Sequence, residues 1–180
     1  MAVIRVSGDL GSGKTTLCEK MAEALNYENY YIGDIMRQLA DKRGMIIDDF
    51  FRELEKEPEL EREIDAAQEQ LMLNQDNIIV QGRMAPFLGC GFEKINVYIA
   101  VDSLVGAKRM SSRPEYQGKT MEDIAEMARK RVVIERERYQ KLYRVINHLD
   151  ISKFDAWIDT THMTEDESLV RLMSLLSVLL

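Results

Sequence analysis

Short apolar runs alternate with amphipathic stretches along most of the chain. Val3 to Val6 is a strand-like run, and Thr16 to Leu25 repeats apolar residues at helical spacing. Tyr30-Tyr31-Ile32 is a second strand, followed by Gly33-Asp34 and a helix through Arg43. Asp34 suits the N-cap of that helix, because its carboxylate can accept from the free N–H groups of a first turn. Gly44 suits its C-cap. Asp48 to Asn74 reads as two charged helices, with Pro58 near the start of the second. Ile78-Ile79-Val80 is a buried strand ending at Gln81-Gly82-Arg83, and Ile95 to Val101 is the next. Ser103 to Arg113 is helical, Pro114 to Thr120 is a loop, and Met121 to His148 is a long helix rich in both charge signs. Ala156-Trp157-Ile158 forms a last strand and Glu165 to Leu179 a last helix. Strands separated by helices predict an α/β fold whose parallel sheet is covered on both faces.

Length and composition narrow the class. The 180 residues suit one domain with a substantial core. Apolar residues at 46% and charged residues at 31% describe an ordinary globular protein. A net charge of −7 argues against a nucleic-acid partner, whose binding needs a basic footprint. Cys18, in the first helix, and Cys90, in a Gly-rich turn, have no metal or redox spacing, so a reducing cytoplasmic location is expected. The first apolar run is too short for a signal segment and is interrupted by Arg5. The tail Leu169–Leu180 carries Arg171, Ser174 and Ser177 and is too short to span a bilayer. A monomer without membrane partners is expected.

The chemistry lies in Gly8-Asp9-Leu10-Gly11-Ser12-Gly13-Lys14-Thr15, between the first strand and the first helix. Glycines at this spacing let backbone N–H groups face phosphate oxygens, and the following helix N-terminus adds partial positive charge. Lys14 would reach the terminal phosphates and the Thr15 hydroxyl would hold Mg²⁺. A nucleoside triphosphate such as ATP is therefore the expected ligand, held on Gly8 to Thr16.

Arginines on separate segments set the second half of the chemistry, because phosphoryl transfer needs positive charge around the moving group. Arg37 follows Gly33-Asp34, with an i,i+4 pair to Asp41 as its ordinary alternative. Arg83 stands beyond the carboxyl end of a buried strand, where α/β sheets bind ligands. Arg109 and Arg113 are four apart on the predicted helix, an arrangement that a bound polyphosphate would relieve or that solvent would tolerate. Much of Arg129 to Arg138 reads as a solvated face, with Glu126 paired to Lys130. His148 and His162 have no partner at ligand spacing, and Phe50, Phe51 and Phe87 read as core residues. The string Asn147-His148-Leu149-Asp150 lacks the lysine a base-reading GTPase motif requires.

From Ile4 to about Thr161 the chain resembles the archaeal-type cytidylate kinases, a branch of the P-loop nucleoside monophosphate kinases. The likeness rests on Gly8–Thr16, Gly33-Asp34-Ile35-Met36-Arg37-Gln38-Leu39-Ala40, Arg43-Gly44-Met45, Asp49-Phe50 and Glu57-Pro58-Glu59. It continues through Gly82-Arg83-Met84-Ala85, Gly118-Lys119-Thr120, Arg138-Tyr139 with Tyr143, Phe154-Asp155 and Ile158-Asp159-Thr160.

The resemblance implies a three-layer α/β/α kinase with a five-stranded parallel sheet. Its core would be residues 1–33, 75–112 and 132–180, its helical acceptor lobe 34–74 and its lid 113–131. Arg37 and Arg83 would hold the acceptor phosphate, with Gly33, Asp34, Asp65 and Gln68 completing that site. Lys14, Arg83, Arg109, Arg113 and Arg131 would serve the transferring group. The expected reaction moves the ATP γ-phosphate to CMP or dCMP with Mg²⁺. Another acceptor (AMP, UMP or a non-nucleotide alcohol), or an ATP-binding sensor without turnover, stands as the alternative.

This chain also departs from the family. Gln81 stands where the family usually has an acid organising Mg²⁺, while Asp102 is placed either for such a role or to cap the next helix. Asp65 either accepts from a cytosine amino group or is an exposed acid on an acidic helix, since Ala66-Ala67-Gln68 replaces the family's arginines. The lid carries extra residues, Pro114-Glu115-Tyr116-Gln117.

Overall fold

The computed structural model describes residues 2–54, 56–89 and 94–180; Cys90 and its turn lie outside them. Its elements run β1 (Val3–Gly8), α1 (Lys14–Leu25), β2 (Glu28–Tyr31), α2 (Ile32–Lys42), α3 (Ile47–Leu54), α4 (Pro58–Asn74), β3 (Ile78–Gln81), β4 (Lys94–Ala100), α5 (Ser103–Met110), α6 (Met121–Tyr143), β5 (Ala156–Asp159) and α7 (Glu165–Leu176). The five strands pair in parallel in the order β2-β3-β1-β4-β5, as the alternation of strands and helices predicts.

Strand β1 lies in the middle and is buried along its whole length, which is why it reads as a near-continuous apolar run. Its alternate residues feed two cores. Ile4 and Val6 pack with Leu17, Cys18 and Met21 of α1 and Leu172 and Leu176 of α7. Val3 turns to the other face, with Ile78 and Val80 of β3, Phe50 and Leu54 of α3, Ile64 and Met72 of α4, and Tyr139 of α6. A third cluster joins Ala107 and Met110 of α5 to Ile124 and Ala125 of α6 around Tyr116. Burial drives the Cys18 thiol up to about 12, so it packs as a small apolar group.

Several local boundaries follow their predicted chemistry. Pro58 opens α4, where its missing N–H costs nothing. Gly44, at φ 67°, closes α2: its N–H donates to Asp41 O and that of Met45 to Ala40 O, each at 3.0 Å. Asp34 is not the N-cap. The cap is Tyr31, three residues earlier, and Ile32, buried in the core, is already the first helical residue. Asp34 sits exposed inside the first turn. Asp102 caps α5, its Oδ1 accepting from Leu104 N at 2.9 Å and Val105 N at 3.2 Å. Helix α5 stops at Met110, not Arg113, and α6 stops at Tyr143, not His148. No helix among the described residues is long and apolar enough to cross a membrane.

The chain passes from β3, on one side of β1, to β4 on the other. The loop after β1 therefore lies at the switch point of the sheet, the usual ligand position in this architecture.

Candidate active site

The loop after β1 is held from below by fixed contacts. Asp9 accepts from the Tyr98 hydroxyl at 2.7 Å and from Val101 N at 3.0 Å. The Thr160 hydroxyl lies 3.0 Å from Ser12 O and 3.1 Å from Ala100 O, so its one proton serves that pair. Gly11, at φ 75°, passes so close to α5 that a Cβ there would fall 2.3 Å from Gly106 O. Gly13, at φ 84°, turns the chain into α1 with no side chain capping the first turn. The N–H groups at the start of α1 are thus left to a ligand, and phosphate is what such a terminus fits.

The Lys14 ammonium donates to Gly8 O at 2.8 Å, Asp9 O at 2.5 Å and Ser12 Oγ at 3.3 Å. Burial, then the Arg83 charge, lowers its pKa well below the usual lysine range. An anion in the cleft would relieve both effects.

Because Gly106 touches this loop, Gly106→Ala is an informative change. Its Cβ would come within 2.6 Å of Leu10 O and 3.1 Å of Val101 Cγ1. We expect the loop to be pushed off its seat and ATP affinity to fall by about tenfold, on the order of 1.4 kcal/mol. Isothermal titration with ATP checks this; unchanged affinity would show that the loop has room to give.

One cleft gathers the loop residues Leu10, Gly11, Ser12, Gly13, Lys14, Thr15 and Thr16 with Gly33, Arg37, Asp65, Gln68, Arg83, Arg113 and Arg131. Other predicted residues are not on its walls. Gly8 and Asp9 support the loop from the sheet edge, and Asp34 pairs with Arg37 at 3.4 Å on the surface. The Arg37 guanidinium also reaches the Tyr31 hydroxyl at 3.3 Å; its pair is Asp34, not Asp41. Arg109 is not brought to the cleft. Its guanidinium donates to Thr160 Oγ1 at 3.0 Å and Thr160 O at 2.7 Å, so it braces the phosphate loop from behind through Thr160.

Asp65 is buried, which removes the exposed-acid alternative. It accepts from Gln68 Nε2 at 2.7 Å, and burial raises its pKa to about 6 against the pull of Tyr143 and Arg138. Arg83, with 12% of its side chain exposed, packs against the almost wholly buried Glu135, with which it forms an ion pair. Burial, then the Arg131 charge, lowers its pKa to about 9.

Three residues escaped the sequence reading. Glu135 holds Arg83 and also Arg131, the latter at 2.9 Å. Glu61 pairs with Arg138 at 3.0 Å, both buried. Phe51 packs at the margin of the core as expected but is also a wall of the cleft, and carries the Arg131 guanidinium 4.1 Å from its ring centre.

Gln81, at the end of β3, donates its amide to Asn29 Oδ1 at 3.0 Å, and its own buried oxygen has no hydrogen-bond partner. It lines the cleft with Thr15. No group of three or more His, Cys, Asp or Glu side chains that could hold a metal occurs among the described residues. The oxygens present suit a largely hydrated Mg²⁺ held partly by phosphate, as that ion prefers.

Comparison with known proteins agrees with this geometry. A family model described as an AAA domain matches residues 4–133. The cytidylate kinase of Pyrococcus furiosus is 35% identical over 91% of this chain and 82% of its own. That of Pyrobaculum neutrophilum is 33% identical over 93% and 89%. The chain belongs to the cytidylate kinase family. The expected resemblance and fold class are thereby borne out. Among solved structures, shikimate kinase from Bacteroides thetaiotaomicron superposes with a TM-score of 0.62 at 20% identity, covering 98% of each chain, a likeness of fold alone. In this family setting Asp102 and Gln81 have distinct jobs. The first is spent on capping α5, while the second faces the cleft.

Proposed function

We propose that the protein transfers the γ-phosphate of ATP to CMP or dCMP. The observation that carries this reading is the continuity of the cleft, in which the phosphate loop, four arginines and the Asp65–Gln68 pair share one cavity. Lys14 and the first-turn N–H groups of α1 would hold the ATP phosphates, and the Thr15 hydroxyl the Mg²⁺. Bound there, ATP with Mg²⁺ supplies a phosphoryl group whose charge is already partly neutralised.

The other steps belong to the chain. Arg37 and Arg83 would grip the acceptor phosphate, and Arg113 and Arg131 would face the group in transfer. Four cations converging on one cleft lower the cost of bringing two anionic phosphates together. The attacking oxygen is an ionised phosphate oxygen, so no side chain need remove a proton. Arg109, through Thr160, would keep the loop in place. Residues 34–74 would act as the acceptor lobe and 113–131 as the lid that excludes water. An assay of ADP formed with CMP, dCMP, UMP, AMP and shikimate as acceptors tests the reading. Preference for CMP or dCMP supports it, and ATP binding with no ADP from any acceptor would leave a nucleotide sensor instead.

Asp65 gives this reading a pH signature. A cytosine amino group is held more strongly by an ionised acceptor than by a neutral one, and Asp65, raised to about 6, loses its charge as pH falls through that value. Below pH 6 the KM for CMP should rise by about tenfold per pH unit from this group alone. The CMP phosphate titrates nearby, so the decisive comparison is Asp65→Asn, whose higher KM should lack the Asp65 contribution. Identical pH profiles in both proteins would remove Asp65 from base recognition.

A further inference from the structure

Glu135 has no part in the reaction as derived so far, yet it occupies the centre of the arginine cluster. Only 3% of its side chain is exposed. It lies on α6, four residues after Arg131 and three before Arg138. Its Oε1 accepts from Arg131 Nε at 2.9 Å, and its Oε2 pairs with Arg83. His148 Nε2 lies 3.8 Å from the same Oε2, but the imidazole is fully buried. Burial, with Arg83, Arg136 and Arg138 nearby, brings the His148 pKa down to about 4, so it packs beside Tyr139 as a neutral ring. The Glu135 charge is therefore directed to the arginines.

Two guanidiniums facing one cleft repel each other, and each Arg side chain is long enough to swing away. A carboxylate with one oxygen on each removes the repulsion and fixes both directions. The three residues come from different parts of the fold: Arg83 follows β3, while Arg131 and Glu135 are on α6, and Arg131 rests on Phe51 of α3. We propose that Glu135 is a positioning residue that joins Arg83, on the acceptor phosphate, to Arg131, on the group in transfer, as one rigid pair. This rests on the kinase reading above.

The test uses Glu135→Gln, which keeps the shape and removes the charge, and Glu135→Asp, which keeps the charge on a shorter stem. In Glu135→Gln, kcat/KM for CMP should fall by about 10²-fold, mostly in kcat, since a misplacement of about 1 Å costs that much. The Kd for ATP should stay within about twofold, because the phosphate loop is held by other contacts; Glu135→Asp should recover about tenfold of the lost rate. Combining Glu135→Gln with Arg131→Gln should cost clearly less than the product of the two single losses, because both changes remove the Arg131 contribution while only the first also releases Arg83. Losses that multiply would show a merely structural role and overturn the proposal, as would Glu135→Gln activity within about threefold of wild type.

Should Glu135→Gln fail to fold, as judged by circular dichroism, Glu135→Asp carries the same comparisons. If the wild-type protein phosphorylates no acceptor, the kinase reading fails. Binding of inorganic phosphate to wild type and Glu135→Gln then decides the positioning role, and equal affinities overturn it.

Discussion

Lys14→Ala is expected to lower turnover by about 10²–10³-fold, or roughly 3–4 kcal/mol of transition-state stabilisation, the cost of removing one fixed donor from a site of developing charge. The ammonium sits over the loop, bonded to Gly8 O, Asp9 O and Ser12 Oγ, where the phosphates would lie. Its loss removes a cation that no neighbour replaces, because Arg83 and Arg131 are engaged by Glu135. The fold should survive. The two loop carbonyls each lose a donor worth about 1 kcal/mol, partly offset because burial already disfavours the lysine charge. A Tm drop of about 2–6 °C is then the expected range for a chain of this size. ADP release and thermal melting by circular dichroism measure the two effects separately. Undiminished turnover in a folded Lys14→Ala protein would falsify the proposed phosphate site.

What the sequence discloses, and what it withholds, depends on how local the determinant is. The phosphate loop is eight contiguous residues between a strand and a helix, so its chemistry is legible without tertiary information. The inner strands β1 and β3 are legible because parallel strands buried on both faces are nearly continuously apolar. The residues missed are those whose meaning comes from a distant partner. Helix α4 buries Glu61, Ile64, Asp65, Gln68 and Met72 on one face. That stripe has helical spacing but is largely polar, so a hydrophobic pattern cannot reveal that Asp65 is inside.

Glu135 is hidden in a different way. It is one acid in a helix crowded with acids, and only the fold sets it between Arg131 and the end of β3. Phe50 and Phe51 differ because consecutive residues on a helix point about 100° apart, so one fills the core and the other faces the cleft. The arginine pair at 109 and 113 misled for a simpler reason. Helix α5 ends at the buried Met110, so the two side chains do not share a helical face.

Arg83 combines both kinds of determinant, and its variants separate them. Arg83→Met would leave Glu135, almost wholly buried, with Arg131 as its remaining paired arginine. Removing one partner from a buried pair costs about 3–5 kcal/mol, a loss of roughly 6–20 °C in Tm. Turnover with CMP should also fall by at least about 10²-fold, since the acceptor phosphate loses one of its two clamps. Arg83→Lys restores a charge beside Glu135 and should return most of the stability. It should not return the rate. A lysine is a point charge on a flexible stem, and it cannot give one carboxylate and one phosphate the planar set of donors that a guanidinium provides. For Arg83→Lys we therefore expect a near-normal melt, an unchanged KM for ATP, and kcat/KM for CMP lower by about 10–10²-fold. Melting curves and steady-state kinetics on the three proteins distinguish the roles. A lysine variant that regains both stability and rate would mean that Arg83 serves only as the counter-charge of Glu135, and the acceptor phosphate would have to be held by Arg37 instead.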